Sequence, residues 1–438
     1  MVLLYTPKTQ LQTSTQSKIV DILDLDYQGL GVAKIRGKTW FIENALPGEK
    51  VKFKITQEKR QFGLGVTQHI LKESSDRQKP TCSYYHICGG CQSQHIPIQL
   101  QRQSKQDALF KRLSKLQSEK IEFQPMIIGK SVGYRRRVRL SMLFNSKSKQ
   151  IEIGLRQKAS DKIVAIQQCD VLEPILNNLL PKLTALFSQF SQPQQLGHIE
   201  LVAADNGVAM LLRYRENLRK SDRTLLLNFA HQENLMLFLQ DDKCIENISN
   251  QFPYYELENN LKLQFDIRDF IQVNTYLNQQ MIKTAVDWLD LNEQDHVLDL
   301  FCGMGNFTLS ISQRVNNVVG IEGVSAMVEK AKANAERNDC KNVKFYRANL
   351  DQSFAEQTWA NETFNKVLLD PPRSGAAFAL TALCQLQADK ILYVSCNPAT
   401  LVRDAEILIK SNYKINKVAM IDMFPHTGHL ESITLFEK

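Results

Sequence analysis

No apolar run in the sequence approaches the roughly 20 residues that a membrane-spanning helix needs. The first residues, MVLLYTPKTQLQ, lack the basic start of a secretory signal peptide, and their apolar stretch is too short for one. Internal repeats and low-complexity segments are absent as well. These absences argue against a membrane protein, a secreted protein and a repeat protein, so we expect a cytoplasmic protein with no membrane partner.

The chain also lacks the cysteine pattern of a disulfide-stabilised protein. Its nine cysteines are odd in number and are spread over 438 residues, whereas disulfide frameworks are dense in small secreted domains. Metal ligation or catalysis is the better explanation for thiols in a reducing compartment.

The composition is that of a globular protein with an excess of basic residues. Hydrophobic residues make up 43% of the chain and charged residues 23%, which argues against long disordered segments. The length is enough for two or three domains of roughly 100–200 residues each. The formal net charge of +8 favours a polyanionic partner, nucleic acid first.

Three regions with different patterns follow one another. Residues 12–70 contain short β-prone runs separated by Gly, Asn and Pro, which predicts a small RNA-binding barrel of the oligonucleotide-binding type, or a small β-domain with another role. Residues 71–265 mix helical and strand-like patterns. Residues 266–438 alternate the apolar runs HVLDLF, NVVGIE, KVLLDP and ILYVSC with helical stretches, which indicates a parallel α/β sheet.

The middle region contains an arginine-rich strand, YRRRVRLSMLF at residues 134–144. Alternation places Arg135, Arg137 and Arg139 on one face and Arg136 on the other. Arginines along one face suit contact with RNA phosphates. The alternative is a solvated edge strand whose charge prevents aggregation.

A cysteine cluster opens the middle region. In CSYYHICGGC, three thiols are spaced C-x5-C-x2-C, and they are Cys82, Cys88 and Cys91. Thiolates suit zinc or an iron–sulfur cluster, and both require a fourth ligand. Three residues could supply it, namely Cys169, His86 and His95. Spacing leaves the choice between structural zinc and a 4Fe–4S cluster open, with unligated cysteines as the third interpretation.

The first strand of the last region runs into a glycine turn, LDLFCGMGNFTL at residues 298–309. Gly303 and Gly305 allow the backbone to approach a ligand closely. Asp299 and the pattern D-x-F-x-G-x-G are similar to the first motif of S-adenosylmethionine-dependent methyltransferases. The next strand ends in Glu322, where a carboxylate can accept both ribose hydroxyls of a nucleoside cofactor. The alternative is a nucleotide-binding sheet with another ligand.

Cys396 ends the apolar run ILYVSC, and Asn397 and Pro398 break the strand directly after it. Ligands of open α/β sheets gather outside the carboxyl ends of the strands. A thiolate placed there can add to C6 of a uracil and make C5 nucleophilic enough to take a methyl group. The alternative is a small buried side chain, as most cysteines without a partner are.

Two acidic residues complete this chemistry. Glu431 precedes the last strand and could remove the proton that C5 must lose after methylation. Asp370 ends the run KVLLD and could accept a hydrogen bond from a flipped base, or it could cap the following turn.

Six segments of the last region carry a family resemblance. They are FIQVN (270–274), LDLFCGMGNF (298–307), VVGIEGV (318–324), LLDPPR (368–373), YVSCNPATLVRD (393–404) and DMFPHTGHLES (422–432). Together they resemble the RNA uracil-C5 methyltransferase family. The N-terminal segment GLGVAKIRGKTWFIENALPGEKV resembles a TRAM domain, so the resemblance covers nearly the whole chain.

The resemblance implies a three-part α/β protein: an N-terminal TRAM-like β-barrel, a central α+β iron–sulfur domain and a C-terminal Rossmann-like methyltransferase domain. It implies that Cys396 is the nucleophile and Glu431 the base. The residues that it implies around the cofactor and the target base are Gln272, Phe301, Asn306, Glu322, Asn349 and Asp370. The ligands that it implies for a 4Fe–4S cluster are Cys82, Cys88, Cys91 and Cys169.

The resemblance further implies a monomer that methylates uracil 1939 of 23S ribosomal RNA, with S-adenosylmethionine as the donor. The uracil must leave its stack to reach the thiol. The TRAM-like segment and the four cysteines favour this ribosomal branch over the tRNA enzyme of the family. The alternatives are the same chemistry on tRNA or on another 23S uracil, and a ribosome-assembly protein that binds RNA without catalysis.

Overall fold

The computed structural model describes residues 16–216, 218–352, 354 and 357–438. Residues 12–15, where the predicted barrel begins, lie outside this part of the chain. The chain divides into two compact units, one containing the residues up to Lys111 together with Phe424–Leu430, and the other containing Arg112–Met423 and Glu431–Lys438. The region boundaries after residues 70 and 265 stay predictions. Every helix in the described ranges is too short or too polar to span a bilayer.

The first unit contains a six-stranded sheet in the region predicted as a barrel. Its strands are β1 (Ser17–Asp21), β2 (Asp24–Leu25), β3 (Gly31–Ile35), β4 (Lys38–Glu43), β5 (Lys50–Glu58) and β6 (Phe62–Lys72). They pair in the order β1-β5-β6-β4-β3-β2. The alternating sequence of β5 buries Val51 and Phe53 against Trp40 in the core. Gly63 leaves room for the Trp40 ring, because a side chain there would overlap it. Helix α1 spans Ile98–Leu113.

The second unit begins with a short strand and a seven-stranded sheet. The strands up to residue 265 are β7 (Glu122–Phe123), β8 (Arg137–Asn145), β9 (Gln150–Arg156), β10 (Ile163–Ala165), β11 (Leu196–Ala204), β12 (Gly207–Tyr214), β13 (Leu235–Gln240), β14 (Ile245–Asn247), β15 (Tyr254–Glu256) and β16 (Lys262–Gln264). The helices are α2 (Pro174–Asn177), α3 (Leu179–Phe187) and α4 (Lys220–Gln232). The sheet has the order β10-β9-β8-β11-β12-β13-β14, and β15 pairs with β16 alone.

The arginine-rich stretch has the predicted alternation in burial, although strand β8 begins only at Arg137, so Arg135 and Arg136 precede it. Arg136 is buried, whereas Arg135, Arg137 and Arg139 keep exposed surface. Strand β8 lies inside the sheet between β9 and β11, so its interpretation as an edge strand is wrong. Arg137 forms a 2.9 Å ion pair with Glu200 of β11, and Arg139 approaches the same carboxylate at 3.8 Å. Part of the positive charge on this face is therefore balanced within the protein.

An eight-stranded sheet makes up the rest of the second unit. Its further strands are β17 (His296–Leu300), β18 (Asn317–Glu322), β19 (Val343–Arg347), β20 (Lys366–Leu369), β21 (Lys390–Ser395), β22 (Lys414–Ile421) and β23 (Glu431–Glu437). The helices of this region are α5 (Thr275–Leu289), α6 (Thr308–Ser312), α7 (Ser325–Arg337), α8 (Ala377–Leu383) and α9 (Pro398–Lys410). The four apolar runs predicted as strands coincide with β17, β18, β20 and β21.

The order of this sheet, β19-β18-β17-β20-β21-β23-β22-β7, defines where a ligand can enter. Strand β17 pairs in parallel with β18 on one side and with β20 on the other. The chain therefore leaves β17 first to one side and later to the other, and open α/β sheets bind their ligands at the carboxyl ends of the strands at such a point. Strand β23 runs antiparallel between β21 and β22.

Candidate active site

Cys396 and Glu431 lie opposite each other on neighbouring strands of the eight-stranded sheet, at the carboxyl end of β21. Cys396 follows the end of β21, and Glu431 is the first residue of β23. The two strands are antiparallel and pair Ser395 with Ser432, so Cys396 and Glu431 are the next residues outward on each strand. Glu431 is buried and Cys396 is half-buried. The structure therefore brings the predicted nucleophile and the predicted base together.

Burial and negative charge keep protons on the acids of this site. The pKa of Cys396 is raised to about 12, mainly by burial and also by the carboxylates of Glu431 and Asp370, while Arg373 opposes the shift. Burial likewise raises the pKa of Glu431 to about 8, with Asp370 adding and Arg373 opposing. The pKa of Asp370 rises to about 7, also through burial. At neutral pH these groups can therefore hold protons or exchange them.

Helix α9 fixes the loop that follows β20 and carries Asp370 and Arg373. The Asn397 side chain caps this helix by accepting from the Ala399 N–H over 3.0 Å, and its amide donates to the Arg373 carbonyl over 3.0 Å. The Thr400 hydroxyl donates to the same carbonyl over 3.4 Å. Asn397, which follows Cys396 and caps α9, therefore also ties the turn of the nucleophile to the loop after β20.

A buried carboxylate anchors the same loop from within α9. Asp404 accepts hydrogen bonds from the Ala376 N–H at 2.6 Å, the Tyr393 hydroxyl at 2.7 Å and the Arg403 Nε at 2.8 Å. Gly375 has a φ of +77°, and a side chain there would collide with Arg403 and Asp404. Tyr393 belongs to β21, so one carboxylate links the strand of the nucleophile to the loop after β20.

The glycine turn after β17 adopts left-handed backbone conformations. The φ angles are +64° at Phe301, +57° at Gly303 and +99° at Gly305. Such a conformation is strained for phenylalanine, and strain of this kind clusters at functional sites. The Gly303 N–H donates to Glu322 over 3.2 Å, and the Val324 N–H donates to its other oxygen over 2.9 Å. The Glu322 carboxylate is therefore fixed beside the turn.

Asp299 is a buried carboxyl at the end of β17. It accepts a 2.5 Å hydrogen bond from the Thr308 hydroxyl. Burial raises the pKa of Asp299 to about 7; the bond from Thr308 opposes this shift, and the charges of Asp370 and Glu322 add to it. The three carboxyls at the ends of β17, β18 and β20 therefore act on one another electrostatically.

Asn306 is held by three hydrogen bonds. Its amide nitrogen donates to Asn278 of α5 over 2.9 Å, and the Asn278 amide donates back to the Asn306 oxygen over 3.0 Å. The Tyr255 hydroxyl donates to the same oxygen over 3.0 Å. The Asn306 side chain is therefore fixed from two elements outside its own turn.

The remaining predicted cofactor residues lie on two other segments. Gln272 is partly buried shortly before α5, and its carbonyl accepts a 2.8 Å hydrogen bond from the Arg136 Nε. Asn349 is exposed after β19, and its side chain accepts from the Asp351 N–H over 3.0 Å. Five of the six predicted residues therefore follow the carboxyl ends of strands, which is the pattern that the sheet predicts.

Several residues that shape the site carry no role in the sequence-based prediction. Arg373 and Asp404 lie within segments that were quoted for their resemblance, so a signal for them existed in the sequence. Tyr255 lies in no recognised motif, Asn278 follows the segment FIQVN by four residues, and Arg136 was placed only on the opposite face of the arginine-rich stretch. Tertiary contacts reveal what these three residues do at the site.

The four cysteines that were predicted as cluster ligands differ in exposure. Cys88 is buried, and Cys82, Cys91 and Cys169 are partly exposed. The Cys88 Sγ accepts a 3.4 Å hydrogen bond from the Gly90 N–H, a kind of contact that tunes iron–sulfur thiolates. The thiol chemistry therefore fits such a cluster, although the described residues contain no group of three or more His, Cys, Asp or Glu that could hold a metal ion.

Two family models match the chain. Residues 98–438 match the model of tRNA (Uracil-5-)-methyltransferase, and residues 15–67 match the TRAM domain. The TRAM match coincides with the region predicted as an RNA-binding barrel. The other match includes all eight strands of the eight-stranded sheet.

Curated relatives are similar over the full length of the chain. The 23S rRNA (uracil(1939)-C(5))-methyltransferase RlmD of Mannheimia succiniciproducens is 70% identical over 438 residues, which are all of both chains. The protein of the same name from Haemophilus influenzae strain Rd is 66% identical over 436 residues, covering 100% of this chain and 99% of the relative.

A solved structure shares the fold. It is the tRNA (uracil-54, C5)-methyltransferase of Pyrococcus abyssi in complex with S-adenosyl-L-homocysteine, with a TM-score of 0.75 and 22% identity over 96% of this chain and 100% of that chain. The methyltransferase fold and the N-terminal TRAM domain are thereby confirmed. The likeness to this tRNA enzyme shows the fold alone, and the expectation that the TRAM-like segment and the four cysteines separate the ribosomal branch from the tRNA enzyme stays a prediction.

Proposed function

This chain belongs to the tRNA (uracil-5-)-methyltransferase family, and we propose that it methylates C5 of uracil 1939 in 23S ribosomal RNA. Relatives that are 64–70% identical over the whole chain carry the name of this activity. The observation that supports the chemistry is the position of Cys396 opposite Glu431, at the sheet edge that also carries Asp370 and Glu322.

The proposed reaction proceeds through a covalent bond between Cys396 and the uracil. The thiolate adds to C6, and the electrons of the C5=C6 bond move toward C5 and O4. C5 would then bond to the methyl group while the bond between that methyl group and the sulfonium sulfur of the donor breaks, so that S-adenosylhomocysteine would leave. Glu431 takes the proton from C5, the C5=C6 bond re-forms, and the bond between Sγ and C6 breaks. This last step returns the thiolate and releases 5-methyluridine.

The acids around Cys396 decide when the nucleophile forms. Because burial, Glu431 and Asp370 hold the pKa of the thiol at about 12, the thiol must lose its proton as the RNA base arrives or as the bond to C6 forms. Arg373 opposes this shift and would favour the thiolate. Asp370, whose pKa is about 7, would accept a hydrogen bond from the N3–H of the flipped uracil when it is ionised.

We propose that S-adenosylmethionine binds at the carboxyl ends of β17 to β20 and supplies an electrophilic methyl group. The residues that would hold it are Gln272, Phe301, Asn306, Glu322, Asn349 and Asp370. Glu322 is suited to the ribose hydroxyls, because two backbone N–H groups already orient its carboxylate at the end of β18. The left-handed turn at Phe301 and Gly303 would let the backbone approach the cofactor.

The RNA is proposed to contact the TRAM domain and the exposed face of the arginine-rich strand. A TRAM match over residues 15–67 supports an RNA-binding role for the N-terminal region. Arg135 lies just before β8 and keeps exposed surface, whereas Arg137 is paired with Glu200. A uracil in a folded RNA must be extruded before it can reach a half-buried thiol.

We also propose that Cys82, Cys88, Cys91 and Cys169 ligate a 4Fe–4S cluster. The support is the thiol-only donor set and the N–H contact to the Cys88 Sγ. Anaerobically purified protein should contain about four iron and four acid-labile sulfide ions per chain. Cys88→Ser should lose both. Cys340 is a buried cysteine between α7 and β19, so Cys340→Ser should lose neither. Zinc without sulfide, or no metal, would refute the cluster.

Methyl transfer tests the proposed function. Anaerobically purified protein is incubated with labelled S-adenosylmethionine and with either unmodified 23S ribosomal RNA or unmodified bulk tRNA, and any 5-methyluridine is mapped. One labelled uracil, at position 1939 of the 23S RNA, is expected. Label in tRNA or at another 23S uracil would refute uracil 1939 as the substrate and identify the labelled uracil in its place. RNA binding without label would favour a ribosome-assembly role.

A further inference from the structure

Arg136 carries a charge into the interior of the second unit. The residue is 1% exposed, and its Nε donates to the Gln272 carbonyl over 2.8 Å. Its terminal nitrogens, Nη1 and Nη2, have no hydrogen-bond partner among the described residues. The carboxylates of Asp205 and Glu173 act on the charge, but neither accepts a hydrogen bond from it. Such a group is costly to bury, so its presence calls for a physical reason.

The Arg136 guanidinium packs on Tyr255, whose hydroxyl reaches Asn306 in the glycine turn after β17. The Arg136 Cζ lies 4.7 Å from the centre of the Tyr255 ring, a cation–π geometry. The Tyr255 hydroxyl, on the far end of that ring, donates to the Asn306 oxygen over 3.0 Å. Tyr255 is itself 3% exposed, so the ring can hardly move once the guanidinium covers it.

Arg136 and Arg137 also donate hydrogen bonds to the segment 269–273, which contains the predicted cofactor residue Gln272. The Arg136 N–H donates to the Val273 carbonyl over 2.9 Å, and Arg137 donates to the Asp269 carbonyl. With the bond from Nε to Gln272, three carbonyls of residues 269–273 are therefore engaged by two consecutive arginines.

We propose that Arg136 and Tyr255 are positioning residues for the cofactor site. Arg136 fixes Gln272 directly and fixes Asn306 through Tyr255, so that two residues from separate segments present their side chains to the methyl donor in a constant arrangement. The inference rests on the proposed function, which assigns Gln272 and Asn306 to the cofactor. Neither Arg136 nor Tyr255 would touch the reacting atoms.

A binding measurement without RNA tests this role. Tyr255→Phe removes one hydrogen bond to Asn306 and keeps the ring, so S-adenosylhomocysteine should bind about threefold to tenfold more weakly in titration calorimetry. Arg136→Met removes the charge and the Nε donor at similar volume. Because the two terminal nitrogens of Arg136 are buried without partners, removing them should offset the loss of the bond to the Gln272 carbonyl, so the melting temperature should stay close to that of the parent while the affinity falls.

Tyr254→Phe is the matched control. Tyr254 is the preceding residue on β15, keeps exposed surface and makes its cation–π contact with Lys262, so its loss should leave S-adenosylhomocysteine binding unchanged. In steady-state assays, Tyr255→Phe should raise the KM for S-adenosylmethionine and leave the KM for RNA unchanged.

The outcomes separate this inference from the proposed function. Parent affinity for S-adenosylhomocysteine in both Tyr255→Phe and Arg136→Met would overturn the positioning role, whatever the enzyme does to RNA. Should Arg136→Met fail to fold, Tyr255→Phe alone decides. Parent protein that binds S-adenosylhomocysteine but methylates no 23S RNA would refute the proposed function and leave the positioning role to be judged by the affinities. Parent protein that does not bind it would overturn both.

Discussion

Glu431 should impose a pH dependence on the release of methylated RNA from Cys396. With a pKa of about 8, its carboxyl is ionised in about one-tenth of the molecules at pH 7, in half at pH 8 and in about nine-tenths at pH 9. Only the ionised form can accept the C5 proton. The rate of elimination should therefore rise about tenfold between pH 7 and pH 9. Glu431→Gln has no ionised form, so the covalent adduct should accumulate at every pH.

The assay must isolate elimination from addition, because Cys396 has a raised pKa of its own. Enzyme in excess over a 23S RNA fragment is mixed with labelled S-adenosylmethionine, quenched at intervals and separated on a denaturing gel. The decay of the labelled adduct reports elimination alone. An adduct decay that is flat between pH 7 and pH 9, or normal product release by Glu431→Gln, would refute the assignment of the base.

Arg373 provides a second handle on the same titration. Its charge opposes the upward shift of the Glu431 pKa, so Arg373→Gln should move the profile to higher pH. Arg373→Lys keeps the charge and is the matched control, with a profile close to that of the parent. A profile that does not move in Arg373→Gln would mean that the elimination rate does not report Glu431.

Four further results are expected. Cys396→Ala should abolish turnover and adduct formation but retain RNA affinity in a filter-binding assay; turnover in this variant would contradict the covalent mechanism. Gly375→Ala should destabilise the protein by at least ~1–2 kcal/mol in urea unfolding, because alanine is strained at a φ of +77° and would collide with Asp404; parent stability would contradict this. Trp40→Ala should cost about 3–5 kcal/mol in the stability of the N-terminal sheet and weaken RNA binding, while S-adenosylhomocysteine affinity persists. Glu431 has a folded-state pKa above its ordinary value of 4.5, so its contribution to stability falls as pH rises from about 4.5 to about 8, and Glu431→Gln should gain stability over the parent at pH 8 but not at pH 4.

The strands of the last region could be predicted because each is apolar on both faces. Helices cover a parallel sheet on both sides, so HVLDLF, NVVGIE, KVLLDP and ILYVSC appear as continuous apolar runs, and turn residues mark their ends. Burial also explains the alternating pattern in the N-terminal region, because β5 buries only one of its two faces. Both signals are local and can be read without knowledge of the partners.

The contacts that assemble the site could not be predicted in this way. Glu431 faces Cys396 because β23 pairs with β21, although residues 397–430 separate them in the sequence and no local pattern encodes that pairing. The ion pair between Arg137 and Glu200 likewise depends on the neighbouring strand β11. Because of this pair, less positive charge is available for phosphate contacts than the alternation predicts. The links from Arg136 to Asn306 join three distant segments through side chains that carry no motif.

The interior position of β23 has a consequence for biosynthesis. This strand is made after β21 and β22, yet it inserts between them. Until Glu431–Glu437 has emerged from the ribosome, the two neighbouring strands each lack their shared partner and expose an unpaired edge, a state that invites association with other chains. The same late segment brings the carboxylate that faces the thiol. A nascent chain can therefore form its N-terminal sheet well before the proposed active site is complete. On this order of synthesis, the protein would be able to bind RNA before it could methylate it.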